Sequence, residues 1–247
     1  MAGASEGLGA AFATSLAARG LNLLLLARRE GHLAAVAERL RTSTKSEVRT
    51  FAFDMARPDL PSAFADLTKD LDVGLAVYNA AYVPVGDFTS RTVDELLNVV
   101  DVNIRGPLVV ARTLAPKLIA RRRGGIVLMS SLSGNQGAPR IATYAASKAF
   151  NTVLGEGLWH ELRANGVDVV VSCAGAIRTP GYAKTAGKDA PGTLDASEVA
   201  ETTLNALGRG PLVVPGAINR VARFILGRIL SRRAAISLFA SSTKDLS

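Results

Sequence analysis

Several residue types that support particular kinds of protein are scarce in this chain of 247 residues. It has a single cysteine, Cys173, which excludes a disulfide framework, and no grouping of His and Cys indicates a metal site. Cys173 follows the run "VDVVVS" and is either a reactive thiol or a small buried residue at the end of a strand. We therefore expect neither a disulfide scaffold nor a bound metal.

Long apolar runs are also lacking. No uninterrupted run reaches the roughly 18 residues that a membrane-spanning helix needs, and the first residues do not follow a signal-peptide pattern. The default interpretation is a cytoplasmic protein. The composition, 48% hydrophobic and 20% charged, is ordinary for a globular chain, and the length suits one large α/β domain or two small ones.

Acidic residues are missing between Glu201 and Asp245, where the basic residues are Arg209, Arg220, Arg223, Arg228, Arg232, Arg233 and Lys244. The net charge of +8 is therefore concentrated at one end of the chain. Such an excess describes that end and does not mark the whole chain as a nucleic-acid binder. Only Phe224 and Phe239 are interleaved with these cations, so we expect no nucleic-acid partner.

A serine, a tyrosine and a lysine carry the clearest chemical pattern. Ser131 ends an apolar run, Tyr144 follows thirteen residues later, and Lys148 lies four residues beyond it. Residues four apart share one face of a helix, so Tyr144 and Lys148 point the same way. A neighbouring ammonium lowers the pKa of a phenol, and we expect Lys148 to do so for Tyr144. The pattern indicates proton transfer during carbonyl reduction or alcohol oxidation, with Ser131 bonding the same oxygen.

A glycine turn at the start of the chain suggests a dinucleotide site. Gly3, Gly7 and Gly9 lead into an alanine-rich helix, and the strand "LNLLLLA" follows. Such glycines let backbone amides approach a phosphate, which the helix N-terminus attracts. Arg28 and Arg29 stand where an NAD site often has an acid, and paired arginines suit a 2′-phosphate, so NADP is favoured over NAD. The alternative is that both arginines are solvated charges opening the next helix.

Short apolar runs alternate with helical segments along the rest of the chain. We predict strands over 21–27, 47–54, 73–81, 125–131, 167–175 and 211–215, and helices over 30–41, 60–70, 92–122, 144–165 and 197–207. This alternation predicts an α/β fold with a doubly wound parallel sheet covered by helices on both faces. No break in composition divides it, so we expect a single domain over 1–247 with a helical tail at about 216–240.

The beginning of this fold is unusual. In a doubly wound sheet the glycine turn follows the first, central strand, but only Met1 and Ala2 precede Gly3. We expect that strand to be lacking, which would leave a hole with unpaired backbone groups between its two neighbours. Our hypothesis is that the start lies upstream and that Met1 is an internal codon.

These motifs resemble the short-chain dehydrogenase/reductase family over nearly the whole chain. "AGASEGLG" is similar to its T-G-x-x-x-G-x-G loop, with Ala2 in place of threonine. "YNAA" resembles its N-N-A-G element, with Tyr78 and Ala81 as departures. "CAGAIRT" resembles its P-G-x-x-x-T stretch, with Ala174 in place of proline. The resemblance implies a Rossmann-like three-layer αβα fold and reversible hydride transfer between NADP(H) and a carbonyl/alcohol pair.

The resemblance also assigns roles to residues. It implies that Tyr144 exchanges a proton with the substrate, that Lys148 holds the nicotinamide ribose, and that Asn103 anchors a water beside this lysine. The implied catalytic residues are Asn103, Ser131, Tyr144 and Lys148. The implied cofactor-binding residues are Gly3, Ser5, Gly7, Leu8, Gly9, Arg28, Asp54, Asn79, Ala80, Tyr144, Lys148, Gly175, Ile177 and Thr179.

The tail gives a hint about the substrate and about partners. A helical stripe is formed by Ile218, Ala222, Ile225, Ile229 and Ile236, with Arg232 and Arg233 beside it. A basic helix with an apolar face can lie on an anionic membrane; alternatively the stripe caps the domain or packs across a dimer. The ending resembles a bacterial subgroup related to 3-oxoacyl and hydroxysteroid reductases, which implies an acyl or lipophilic substrate and a homo-oligomer, dimer or tetramer. A competing function is a non-catalytic NADP-binding sensor, or a protein that binds a membrane or partner.

Overall fold

The computed structural model describes residues 1–185 and 188–243, with all their side chains except those of Thr185 and Ser242. Lys244 and Asp245, which mark the end of the acid-free interval, lie outside this range. The strands are β1 Leu23–Ala27, β2 Val48–Ala52, β3 Leu75–Tyr78, β4 Gly124–Ser131, β5 Val167–Ala174, β6 Ile177–Arg178, β7 Leu194–Asp195 and β8 Leu212–Val213. The helices are α1 Gly7–Ala18, α2 Glu30–Ser43, α3 Leu60–Thr68, α4 Val93–Val100, α5 Gly106–Arg121, α6 Ala142–Leu162, α7 Pro180–Thr185, α8 Ala196–Leu204, α9 Ala217–Phe224 and α10 Arg232–Thr243.

The main sheet is parallel, in the order β2-β1-β3-β4-β5-β8, with Ala2 bridging β1 and β3. Alternate residues of β5 face opposite ways: Val170 joins one apolar cluster, while Val169 and Val171 join another. The first cluster includes side chains of α1, α2 and α8, and the second includes side chains of α3, α5 and α6. The predicted three-layer α/β architecture is therefore confirmed.

The register of the sheet brings motif residues together at its carboxyl edge. β4 and β5 pair over their whole length, so that Ser131 ends beside Ala174. β3 pairs with β4 through Tyr78 and Leu128, which places the segment after Tyr78 next to the end of β4. Because all these strands are parallel, their carboxyl ends form one edge of the sheet, which is where ligands bind in open α/β sheets.

The gap between β1 and β3 is closed at this edge by two residues. Ala2 N donates to Val77 O at 3.0 Å, Leu26 N donates to Met1 O at 2.8 Å, and Asn79 N donates to Ala2 O at 3.0 Å. Nearer the amino end the gap encloses a cavity of about 680 Å³, lined by Leu23, Leu75 and residues of both neighbouring helical layers. The predicted hole is thus present at one end, and the prediction is corrected at the other, where Met1 and Ala2 pair with both neighbours.

Two predicted helices are interrupted. The helix predicted over 92–122 begins with a capping box between Thr92 and Glu95, but a π-helical turn, Asp101–Arg105, separates α4 from α5. The predicted tail helix is not continuous either. A second π-helical turn, Ile225–Ile229, follows α9, and Leu230 has an extended backbone before α10 begins at Arg232. This turn directs α10 back onto the domain, where Phe239 packs against a cluster around Ile141.

Two kinds of feature are absent from the described residues. No helix in 1–185 or 188–243 is long and apolar enough to cross a membrane. Within the same residues, no three His, Cys, Asp or Glu side chains are grouped so that they could hold a metal ion. Cys173 is fully buried at the end of β5, and burial raises the pKa of its thiol to about 11. That environment matches the interpretation of a small buried residue rather than a reactive thiol.

Candidate active site

A cleft of about 570 Å³ opens at the carboxyl edge of the sheet. It lies at the point where the strand order reverses around Ala2, the usual ligand site of a doubly wound sheet. The predicted site residues that line it are Gly3, Ser5, Gly7, Leu8, Arg28, Asp54, Asn79, Ala80, Ser131, Tyr144, Lys148, Gly175, Ile177 and Thr179. Two predicted residues, Gly9 and Asn103, lie behind the cleft wall.

The glycine turn is shaped by close backbone contacts. Gly3 has a φ of 79°, and a Cβ there would lie 2.5 Å from Ala80 N. A Cβ on Gly9 would overlap Gly3 O, so this glycine serves the packing of the turn instead of touching a ligand. No side chain caps the N-terminus of α1. The free amides of such a helix end, next to a turn without side chains, fit a diphosphate.

Two arginines and an aspartate occupy the far end of the cleft. Arg28 is exposed at the end of β1 and forms no hydrogen bond or ion pair with the described residues. Arg29 is paired with Glu6, Nη2 to Oε1, at 2.5 Å. Asp54 lies across the cleft, where its Oδ1 accepts from Ala56 N at 2.9 Å. The arginine pair is therefore divided: Arg28 is available to an anion, and Arg29 is held by a carboxylate.

Ser131, Tyr144 and Lys148 converge at the near end of the cleft. The Ser131 hydroxyl faces the Tyr144 phenol and by itself lowers the phenol pKa. Lys148 Nζ donates to Met129 O at 2.9 Å and lies 5.3 Å from the centre of the Tyr144 ring. The three side chains therefore gather at one end of the cleft.

The pKa values in this cluster differ from the expectation. Loss of hydration raises the pKa of Tyr144 to about 12 despite the opposing effect of Ser131, and burial lowers the pKa of Lys148 to about 8. The expected lowering of the Tyr144 pKa by Lys148 is therefore wrong for this structure. Burial raises the pKa of the phenol, and the ammonium is directed to the Met129 carbonyl rather than to the phenol oxygen.

Asn103 is fully buried and connects two elements of the site. Its Oδ1 accepts from Tyr82 N at 2.8 Å, and its Nδ2 donates to Tyr82 O at 3.0 Å and Ser147 Oγ at 3.1 Å. Ser147 in turn donates to Tyr144 O at 2.6 Å. Asn103 thus links the segment after β3 to the first turns of α6, which carry Tyr144 and Lys148. Its implied role in holding a water stays a prediction.

The segment after β5 faces the glycine turn. A Cβ on Gly7 would lie 2.9 Å from Thr179 Cγ2, so these two parts of the cleft are in contact. On the β3 side, Asn79 Nδ2 donates to Gly3 O at 2.9 Å and fastens the turn to the sheet. The cleft is therefore closed on two sides by residues that the motifs had identified.

Some cleft residues were missed by the sequence interpretation. Met55, Val102 and Met129 also line the cleft. Each stands within two positions of a motif residue, which is the signal that could have identified them. Tyr78, noted only as a departure from the N-N-A-G element, donates its hydroxyl hydrogen to Val102 O.

Comparison with known proteins agrees with this geometry. The profile of the short chain dehydrogenase family matches residues 1–189. The chain belongs to the short-chain dehydrogenase family. A very-long-chain 3-oxoacyl-CoA reductase of Neurospora crassa is 38% identical over 173 residues, which cover 68% of this chain and 52% of that protein. A 7beta-hydroxysteroid dehydrogenase of Clostridium sardiniense is 30% identical over 221 residues, 88% of this chain and 85% of that protein.

A solved structure of a family member is also similar. The short-chain dehydrogenase from Sphingobium yanoikuyae in complex with NADPH superposes with a TM-score of 0.82 at 29% identity, covering 91% of this chain and 89% of the other. The chain spans about half the length of the 3-oxoacyl-CoA reductases that it matches, 52% and 57% in two cases.

Proposed function

We propose that this short-chain dehydrogenase transfers a hydride between NADP(H) and a carbonyl/alcohol substrate, with Tyr144 as the proton donor and acceptor. The observation that carries this proposal is that Ser131, Tyr144 and Lys148 line the same cleft as the glycine turn. The names of the relatives, a 3-oxoacyl-CoA reductase and a hydroxysteroid dehydrogenase, support the same reaction type.

The cleft residues fit an NADP molecule from end to end. The turn over residues 3–8 would hold the diphosphate, Arg28 the 2′-phosphate, and Asp54 the adenine side. Lys148 would hold the nicotinamide ribose, and residues 175–179 the carboxamide. The NADPH complex of the Sphingobium yanoikuyae relative supports this choice of cofactor. When bound, the cofactor supplies the hydride.

The chain itself supplies the proton and the orientation. Ser131 donates a hydrogen bond to the substrate oxygen and aligns it with Tyr144. Because the pKa of Tyr144 is raised to about 12, its phenol holds its proton at neutral pH and is ready to donate it during reduction. Positioned acids of this kind contribute about 10²–10⁴-fold to rate. Asn103 acts by fixing the turn of α6 that carries these groups.

The proposed substrate is lipophilic, such as a 3-oxoacyl thioester or a bulky cyclic ketone. Apolar side chains surround the Tyr144 ring, where Ile141, Ala145, Val85 and Phe239 pack in one cluster. The two relatives are named for compounds of the same two classes, a very-long-chain 3-oxoacyl-CoA and a 7beta-hydroxysteroid.

An NADPH oxidation assay with a substrate panel tests the proposal. The panel contains 3-oxoacyl thioesters of increasing chain length, a steroid ketone and acetone, each with NADPH and with NADH. We expect turnover with NADPH that rises with the apolar size of the carbonyl compound and is weak for acetone. The proposal would be contradicted if the protein bound NADPH but failed to oxidise it with every member of the panel.

We further propose a homo-oligomer, a dimer or tetramer. Five exposed apolar side chains of α4, α5 and α6 mark a face where a second copy can pack: Val93, Leu97, Val100, Leu108 and Val153. Asp94, Glu156 and Arg112 belong to the same helices, so charges of both signs accompany this face. Light scattering after size-exclusion chromatography measures the oligomeric state directly. A mass equal to that of the monomer would show that this proposal is wrong.

A second apolar surface, on α9 and the π turn after it, favours peripheral contact with an anionic membrane. We define this tail face as Ile218, Val221, Phe224, Ile225 and Ile229, which are 60%, 58%, 60%, 37% and 63% exposed. The predicted stripe therefore caps the domain only in part, through Ile236 and α10. All charged residues of α9, the π turn and α10 are basic, including Arg220, Arg228 and Arg232. A basic surface with an exposed apolar stripe suits anionic lipid better than a mixed-charge protein face.

Vesicle sedimentation tests the membrane contact. We expect pelleting with anionic vesicles at low salt, much less with neutral vesicles or at high salt, and loss of pelleting in Ile229→Ser. The control is Leu21→Ser, which removes an exposed apolar residue before β1 that belongs neither to the tail face nor to the proposed oligomer face. It should pellet as the parent chain does. No pelleting with anionic vesicles at low salt would end this proposal.

A further inference from the structure

The π-helical turn before α5 changes the hydrogen bonding around Asn103. At its end, Gly106 N donates to Asp101 O, five residues earlier. In a regular α-helix the same N–H would donate to the residue four positions earlier, Val102. The Val102 carbonyl therefore lacks the backbone N–H donor that it would have in a regular α-helix.

Tyr78 supplies the replacement donor. Its hydroxyl donates to Val102 O at 2.5 Å, and both residues are buried, at 2% and 5% exposure. The space for the hydroxyl exists because residue 106 is glycine: a Cβ there would overlap the Tyr78 oxygen. Tyr78 on β3, the π turn and Gly106 thus form one interlocking unit.

We propose that Tyr78 is a positioning residue that holds the π turn in the conformation the active site requires. Val102 lines the cofactor cleft, and the next residue, Asn103, makes the bonds to Tyr82 and Ser147 that fix the start of α6. The Tyr78 bond therefore acts on Tyr144 and Lys148 through Val102 and Asn103. This inference rests on the proposed function, because it concerns the geometry of the same reaction.

The opposite side of the π turn is held independently. Arg105 Nε donates to Asp101 Oδ1 at 2.8 Å, and its Nη2 donates to Ala56 O and Arg57 O, each at 2.8 Å. These contacts tie the turn to the loop after Asp54 on the adenine side of the cleft. With Arg105 in place, loss of the Tyr78 hydroxyl should release the Val102 side of the turn while leaving its other side attached.

Tyr78→Phe removes the hydroxyl and keeps the ring. The buried Val102 carbonyl then lacks its donor, which is costly, and competes for the Gly106 N–H, so that the turn shifts toward α-helical bonding. We expect kcat for NADPH-dependent reduction of a 3-oxoacyl thioester to fall about tenfold while its KM changes less than about threefold. We also expect faster amide hydrogen exchange over residues 101–106.

A matched variant separates positioning from general stability. Thr68→Val removes a buried hydroxyl bond to a backbone carbonyl, Thr68 Oγ1 to Phe64 O at 2.8 Å, away from the cleft. It should lower the melting temperature but leave kcat and exchange over 101–106 unchanged. Gly106→Ala gives a second test, because its methyl group meets the Tyr78 hydroxyl. Its effect on kcat should be smaller in the Tyr78→Phe background than in the parent chain.

The outcomes distinguish this inference from the proposed function. Loss of kcat together with faster exchange at the π turn in Tyr78→Phe, and neither change in Thr68→Val, supports the positioning role. Unchanged kcat and unchanged exchange in Tyr78→Phe overturn it, even if the melting temperature falls. If none of the tested carbonyl compounds supports NADPH oxidation by the parent chain, the proposed function fails. In that case the hydrogen-exchange result alone decides whether Tyr78 holds the π turn.

Discussion

The two ends of the gap between β1 and β3 are built in opposite ways. At the carboxyl end, Met1, Ala2 and Gly3 exchange backbone hydrogen bonds with both neighbouring strands, and Asn79 fastens the glycine turn. At the amino end, the same two strands border a cavity of about 680 Å³. The residues proposed for catalysis and cofactor binding gather at the well-bonded end. The proposed site is therefore formed by the local order of one sheet edge, not by a filled gap along its whole length.

Lys148, at the ordered end, gives the largest expected effect on stability. Its pKa is lowered by burial from 10.5 to about 8, so the folded state releases this proton at lower pH than the unfolded state does. Stability is therefore reduced below pH 8, rises between pH 8 and 10.5 by about 1.4 kcal/mol per pH unit, and is unaffected above that window. Because Lys148→Met lacks this titration, we expect the difference in free energy of unfolding between the variant and the parent chain to change by about 3 kcal/mol between pH 7 and pH 10.5. We also expect the variant to lose turnover.

Urea unfolding at several pH values checks this prediction. The difference between the parent chain and Lys148→Met should shrink steadily from pH 8 upward. A difference that does not vary with pH would show that burial of the charge is not what destabilises this position.

Arg28, also at the ordered end, should give an intermediate effect. Charge-assisted bonds to a 2′-phosphate contribute about 1.5–3 kcal/mol, so Arg28→Ala should weaken NADPH binding about 10–100-fold and leave NADH binding nearly unchanged. Fluorescence titration with both cofactors measures this difference. Arg29→Ala is the matched control, because its guanidinium already pairs with Glu6. An equal loss of NADPH affinity in both variants would contradict the division of roles between the arginines.

Leu21, at the cavity end, should give the smallest effect. It lines the cavity and is 43% exposed, so Leu21→Ser should change the free energy of unfolding by less than about 0.5 kcal/mol. Turnover and NADPH affinity should match those of the parent chain. A large loss of activity in this variant would mean that the cavity end is coupled to the site, and the contrast between the two ends would fail.

The sequence predicted the order of strands and helices because apolar runs and turn residues are local signals. The strand of β5 is read directly from "VDVVVSCA", and Tyr144 and Lys148 share a face because they are four residues apart. The glycine turn was predicted from its glycines and the helix after it, and the resemblance added the segment 175–179. The structure brings both to the same cleft.

Other features could not be predicted because they depend on tertiary contacts. The π turn at Asp101–Arg105 requires Tyr78 from another element to replace a lost helix bond. The break at Leu230 reflects packing of α10 on the domain. We expected the pKa of Tyr144 to be lowered, but burial raises it, and Lys148 is oriented toward Met129 instead of toward the phenol. The spacing of residue types along the sequence does not encode the π turn, the break at Leu230 or this pKa.

The proton-transfer role of Tyr144 is the central claim, and Tyr144→Phe tests it most directly. The measurement is a single turnover of preformed NADPH complex with a carbonyl substrate that the parent chain reduces, alongside NADPH affinity by fluorescence. We predict that the variant binds NADPH within about threefold of the parent and that its rate of NADPH oxidation falls by about 10²-fold or more. Oxidation at the rate of the parent chain, with NADPH bound, would contradict the account.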